Sequence, residues 1–204
     1  MCGLSGFYSK SFEKFDKKSL KNILHHRGPD NFQTYEYKKN IYNLMAFNRL
    51  SIIDLNRRSN QPFKFKNLII CFNGEIYNYK KLKMSLKKLC IKFETNSDTE
   101  VLIKYIYYFG INKTLKDIEG MWSFSLFNED NCKLILCRDY FGEKPLFYIK
   151  KKNKLFYGSE IPVLKFYNKN KLQVDLNYLK KYLFFEYRIL NSNNRQLYKN
   201  IKEI

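Results

Sequence analysis

Cysteine follows the initiator methionine in "MCGLSGFY", so removal of Met1 would leave Cys2 carrying both a thiol and a free α-amine. A thiol of pKa ~8.5 needs a base before it attacks a carbonyl carbon, and an α-amine of pKa ~8 on the same residue can take that proton without a histidine. Gly3 and Gly6 sit in a short strand pattern and let a substrate or a backbone come close to the thiol. The other reading is an inert cysteine. Further along, "CFNGEIYN" brings Asn73 and Gly74 to the end of an apolar run, where a side-chain amide and a backbone N–H can converge as an oxyanion hole; an ordinary Asn-Gly hairpin turn is the alternative. Arg49 stands among apolar residues in "NRLSIIDL" and needs an anion, either a protein carboxylate or a ligand's. Asp98 opens a helix, where the helix dipole alone would favour a carboxylate. An α-amino acid ligand would use both: its carboxylate on Arg49, its ammonium on Asp98, its side-chain amide before Cys2.

These residues need elements to position them. Leu20, Ile23 and Leu24 have helical spacing, and Gly28-Pro29 must end any helix, which predicts one over 17–26. The runs "QTYEYK" and "YNLMAFN" alternate as strands, and "NLIICFN" reads as a buried strand that stops at Asn73-Gly74. Leu82, Leu86 and Leu89 mark a helix behind that turn. Ser97, Asp98, Thr99 and Glu100 spell a capping box for a helix whose inward face is Val101, Leu102, Tyr105, Ile106 and Phe109, with Gly110 as the stop. "MWSFSLF", "KLILC", "PLFYIK" and "KLFYGS" follow as antiparallel strands, and a last helix starts at Asp175. Two groups of strands with helices between and after them predict an α+β layered sandwich.

The 204 residues carry a formal charge of +19, which raises the question of nucleic acid. Seven arginines stand among the 38 basic residues, the lysines are scattered, and Ala46 is the sole alanine, so the charge reads as coding bias and solubility, with no nucleic-acid partner. Cysteines at 2, 71, 90, 132 and 137 form no CxxC pair and the two histidines are adjacent, so no metal site is expected. There is no signal-peptide pattern and no run near the ~20 apolar residues of a membrane span, which points to a reducing, cytoplasmic setting.

In order along the chain, "MCGLSG", "HRGPD", "RLSIIDL", "NGEIYN", "SDTEV", "GMWSFSLF" and "RDYFGEKPLFY" resemble the glutaminase domain of the glutamine-hydrolysing asparagine synthetases over residues 2 to about 185. The resemblance implies a class II glutamine amidotransferase with the four-layer αββα sandwich of N-terminal-nucleophile hydrolases. It implies Cys2 as nucleophile, with Asn73 and Gly74 as the oxyanion hole. Arg49, Leu50, Ser51, Ile52, Ile53, Asn73, Gly74, Glu75 and Asp98 would bind L-glutamine. "HRGPD", "RLSIIDL" and "RDYFGEKPL" favour this group, including relatives that amidate sugars or peptides, over amidotransferases of glucosamine phosphate and purine synthesis.

After "GSEI" the family continues with Lys-Ala where this chain has Pro162 and Val163, a change expected at the rear of the domain and bearing on a synthetase contact. No Ser-Gly-Gly-x-Asp-Ser pyrophosphatase loop or Walker loop occurs, so ATP and magnesium are expected only in a synthetase domain, supplied in cis or in trans. The amidotransferase domain is read as 2–187 and residues 188–204 as a linker or the start of that domain, with a homodimer as a possible assembly. A fold retained without catalysis, serving as an interaction module, is the competing function; intact Cys2, Arg49, Asn73, Gly74 and Asp98 argue against it.

Overall fold

The computed structural model describes residues 1–169, 171–185 and 197–204. Strands β1 (Gly3–Ser9), β2 (Asn31–Lys38) and β3 (Tyr42–Arg49) enter one sheet; β4 (Phe63–Phe65), β5 (Leu68–Ile76), β6 (Gly120–Asn128) and β7 (Lys133–Arg138) form a second. Strands β8 (Phe147–Lys151), β9 (Lys154–Gly158) and β10 (Lys202–Glu203) complete the first, in the order β10-β8-β9-β1-β3-β2. Every pairing is antiparallel.

Strand alternation builds the layers. Leu4, Met45, Phe47 and Tyr157 of the first sheet meet Ile69, Cys71 and Phe127 of the second in the layer between them. The intervening residues Phe7, Leu44 and Phe156 face outward and are covered by α1 (Lys17–Ile23) and α5 (Ile161–Asn168) through Leu20, Val163, Leu164 and Tyr167. On the far side Ile70, Phe72, Phe124 and Leu126 lie under α2 (Tyr79–Lys88) and α3 (Asp98–Phe109). The result is the expected αββα sandwich. A short helix α4 (Ile111–Asp117) and α6 (Leu176–Phe185) complete the set, and no helix among the described residues is long and apolar enough to cross a membrane.

Several expectations change in detail. The helix predicted over 17–26 ends at Ile23 and continues as a 3₁₀ turn, His25–Arg27. Leu89 lies past the last turn of α2 and is exposed, while Leu82 and Leu86 carry the packing. Ser97 does cap α3 through Thr99 N–H, but Glu100 does not return to Ser97: its carboxylate takes the N–H groups of Glu94 and Thr95 and pairs with buried Lys104. Val163 turns into the core, and Pro162 occupies the first turn of α5, where a helix needs no donor. The boundary drawn at 187 lies outside the described residues. At the described end of the segment read as a linker, Ile201 is buried, Tyr198 bridges to Val174, and β10 adds to β8, because an apolar side chain and an open strand edge are both available there.

Candidate active site

β1 lies in the middle of its sheet, and its register with β3, Gly3 opposite Asn48, carries Cys2 alongside the Arg49–Leu50 segment. Leu50 N–H donates to Cys2 Sγ at 3.3 Å, and the thiol is 3.5 Å from Leu50 O. The "HRGPD" motif fixes this junction from behind. Arg27 Nε donates to Cys2 O at 3.0 Å and its Nη1 pairs with Glu160 at 2.9 Å, while Asp30 accepts Ser51 N–H at 2.7 Å. Gly28 is required by close approach: a Cβ there would stand 2.2 Å from Asn48 O.

The expected turn at Asn73-Gly74 is not a hairpin. β5 runs on to Ile76, with Asn73 opposite Ser123 and Gly74 opposite Trp122. A Cβ on Gly74 would meet Met121 O at 2.3 Å and Trp122 Cα at 2.6 Å, so glycine allows β6 to pass at that point. Asn73 shares the face of Ile69 and Cys71, is 2% exposed, and its Nδ2 has no hydrogen-bond partner among the described residues. Along the β5 edge beyond β4, Phe72 N–H goes to Gln61 Oε1 at 2.6 Å and Ile76 N–H to Asp98 Oδ2 at 3.1 Å. Ladder alternation turns the Gly74 N–H to that same edge, between the two. Adjacent residues of β5, both lining the cavity, thus offer a side-chain donor and a backbone donor.

Cys2, Arg49, Leu50, Ile52, Ile53, Asn73, Gly74, Glu75 and Asp98 line one cavity of about 200 Å³. Of the expected set Ser51 does not reach it; its backbone is occupied with Asp30. Arg49 is 6% exposed and is held by the turn that follows it: Nη1 donates to Asn56 O and Asn60 Oδ1, and Nη2 to Asp54 O. Sequence reasoning did not single out Gln61, Asp54, Ser59, Thr99, Met121 or Lys144 as site residues, yet all six line the cavity. Gln61 extends β4 in effect, its amide bonding both N–H and C=O of Phe72 and reaching Thr99 Oγ1. Lys144 had a signal, a lysine inside the "RDYFGEKPL" motif; Asp139 of that motif holds it by accepting the N–H groups of Trp122, Glu143 and Lys144.

Two ionisations bear on chemistry. Burial pushes the Cys2 thiol up, against the opposing effects of Leu50 N–H and the positive charges of the chain terminus, Arg49 and Arg27. The thiol is therefore protonated at neutral pH and needs a base. Met1 lies across the cavity wall, with Sδ 3.5 Å from Lys144 Nζ. While it remains, the amine belongs to the wrong residue. Active protein is expected to lack Met1 by intact mass; full activity in a preparation that retains it throughout contradicts the role of the amine.

Burial also pushes Asp98 up to about 6, with Glu75 adding to the shift and the N–H groups of Ile76 and Thr99 opposing it. The folded chain binds this proton more tightly than the unfolded chain. Its stabilising contribution is thus full below the ordinary carboxylate range and is lost as pH rises through about 6. The form that can hold an ammonium is the one above that pH. KM for glutamine should rise as pH falls below about 6, and Asp98→Asn should raise KM and remove that acid limb. A flat KM from pH 5 to 8 in the unsubstituted protein contradicts the assignment.

One cavity thus brings together a thiol, an unpartnered amide donor, an arginine and a carboxylate. The sequence matches the glutamine amidotransferase domain family over residues 1–204, and the chain belongs to that family. A glutamine-hydrolysing asparagine synthetase of Bacillus subtilis is 38% identical over 172 residues, covering 80% of this chain and 22% of its own length. A putative one of Methanocaldococcus jannaschii is 31% identical, over 79% of this chain and 34% of its own. A second from Bacillus subtilis is 32% identical, over 92% and 30%. The chain thus spans about a fifth to a third of the length of these relatives. Among solved structures, the glutamine phosphoribosylpyrophosphate amidotransferase of Bacillus subtilis superposes with a TM-score of 0.66 at 19% identity, covering 82% of this chain and 44% of that one. That likeness is one of fold alone.

Proposed function

We propose that this chain is the glutaminase part of an asparagine synthetase, hydrolysing L-glutamine to glutamate and ammonia through a thioester on Cys2. The α-amine freed by loss of Met1 takes the thiol proton as Sγ attacks the side-chain carbonyl carbon. Asn73 Nδ2 and Gly74 N–H receive the developing oxyanion. The proton passes to the leaving nitrogen, the C–N bond breaks, and ammonia departs. Water then attacks the thioester carbon, giving glutamate and restoring the thiol. Arg49 holds the substrate carboxylate and Asp98 its ammonium, with Leu50, Ile52, Ile53 and Glu75 around them.

The observation that carries this reading is the convergence of Cys2, Arg49, Asn73, Gly74 and Asp98, spread over almost a hundred residues, on one cavity with an unpartnered amide donor in its wall. On this reading ATP, magnesium and aspartate belong to a synthetase domain, acting in cis or in trans, that receives the ammonia. The C-terminal turn of α6, where Tyr182, Leu183 and Phe184 are exposed, is the surface we assign to it. Five free cysteines fit a reducing cytoplasm. The test is to supply glutamine, aspartate, ATP and magnesium to the 204-residue chain. Glutamate and ammonia should form in equal amounts with no asparagine; asparagine from the pure chain, or no ammonia at all, contradicts the division of labour.

A further inference from the structure

The two ends of the amino-acid holder come from elements distant in sequence: Arg49 ends β3 and Asp98 begins α3. One side chain joins them. Asp54 Oδ2 accepts Asn96 N–H at 2.8 Å and the Ser59 hydroxyl at 2.7 Å, and Oδ1 accepts Asn56 N–H at 2.8 Å. Its own carbonyl accepts from Arg49 Nη2, and Arg49 Nη1 donates to Asn56 O at 3.1 Å. The turn that Asp54 closes is therefore the one that grips the guanidinium. Asn96 lies two residues before Asp98, directly ahead of the Ser97 cap.

We propose that Asp54 is a positioning residue that fixes the separation of Arg49 from Asp98, and so selects substrates with an α-amino acid head. This rests on the glutaminase reading above and extends it to specificity. Asp54 lines the cavity, but three donors occupy its carboxylate, so it acts through its neighbours and not by touching glutamine. Burial alone would push its carboxyl up, yet the Asn56 and Asn96 N–H groups, the Ser59 hydroxyl and the Arg49 charge together hold it below the ordinary range. At neutral pH it is an anion, and an amide in its place would set an NH₂ against one or more of those donors.

The test uses the full chain, Met1 removed, as the unsubstituted protein, Asp54→Asn and Ser59→Ala. Glutamine KM and kcat are measured, together with the rates at which Cys2 is alkylated by iodoacetamide and by the diazo-ketone analogue of glutamine. The first reagent has no amino-acid head; the second carries the whole of it. Asp54→Asn should raise KM about tenfold with kcat within about twofold, the range for losing a hydrogen bond to a charged group. The diazo-ketone reaction should slow by the same factor, with iodoacetamide unchanged. Ser59→Ala, which keeps the charge, should shift the same quantities about threefold. Unchanged KM in Asp54→Asn, or equal slowing with both reagents, overturns the positioning role, the latter marking general damage to the fold. If the unsubstituted chain neither hydrolyses glutamine nor prefers the diazo-ketone, the glutaminase reading fails and takes this one with it.

Discussion

Cys2→Ala is expected to lower ammonia release from glutamine by at least about 10⁴-fold and to leave the melting temperature within about 2 °C of the unsubstituted protein. The large effect follows from chemistry. No other residue in the cavity lining is a thiol, and the freed α-amine that remains at position 2 has lost the atom it serves. The small effect on stability follows from the contacts. Cys2 as a residue is of intermediate exposure, and the polar neighbours of its buried Sγ are Leu50 N and O at 3.3 and 3.5 Å, long interactions whose loss costs little. Near-normal turnover in the substituted chain, whatever its fold, would move the nucleophile elsewhere.

Asn73→Ala is expected to reduce kcat by about 10²- to 10³-fold with KM little changed, the range for losing one oxyanion donor. Its effect on stability has an unusual sign. An unpartnered buried donor costs about 1–3 kcal/mol, and Asn73 Nδ2 has no protein partner among the described residues. Its removal should leave the melting temperature unchanged or higher. A side chain whose amide held the strand together would instead lose stability and activity in parallel. Arg49→Ala offers the contrast, since its guanidinium is engaged with Asn56, Asn60 and Asp54. That variant should act through KM and lower the melting temperature as well. If Asn73→Ala raised KM alone, the amide would be a contact to bound substrate and not to the transition state.

The layers of this fold were legible because their causes are local and periodic. Ser97 and Gly110 delimit α3, and the alternation in "MWSFSLF" sorts Trp122 and Phe124 from Ser123 and Ser125 onto opposite faces of β6. Three residues that meet at the cavity were legible by type: a thiol at position 2, an arginine among apolar residues, a carboxylate at a helix start. What could not be read was long-range. Asn73-Gly74 resembles a hairpin turn in one dimension, and only Trp122 passing at 2.6 Å from a would-be Cβ reveals that the strand continues. Glu100 has the spacing of a capping box, yet Lys104 and the Glu94 and Thr95 N–H groups compete for it and win. Gln61 carried no signal, and Asp54 only that of lying inside "RLSIIDL", because their partners Phe72, Thr99 and Asn96 are supplied by other elements. Ser51 entered the expected site as part of a continuous segment, but its N–H is held by Asp30 while Leu50, Ile52 and Ile53 face the cavity.

The proposed hydrolysis passes through an acyl group carried by the second residue. Acid quenching of the chain milliseconds after mixing with glutamine, followed by peptide mass analysis, examines it directly. The N-terminal peptide, beginning at Cys2, should carry one glutamyl group in the unsubstituted protein and more of it in variants slowed at hydrolysis. Glutamine turnover with that peptide unmodified at every time, or with the glutamyl group on another residue, would contradict the account.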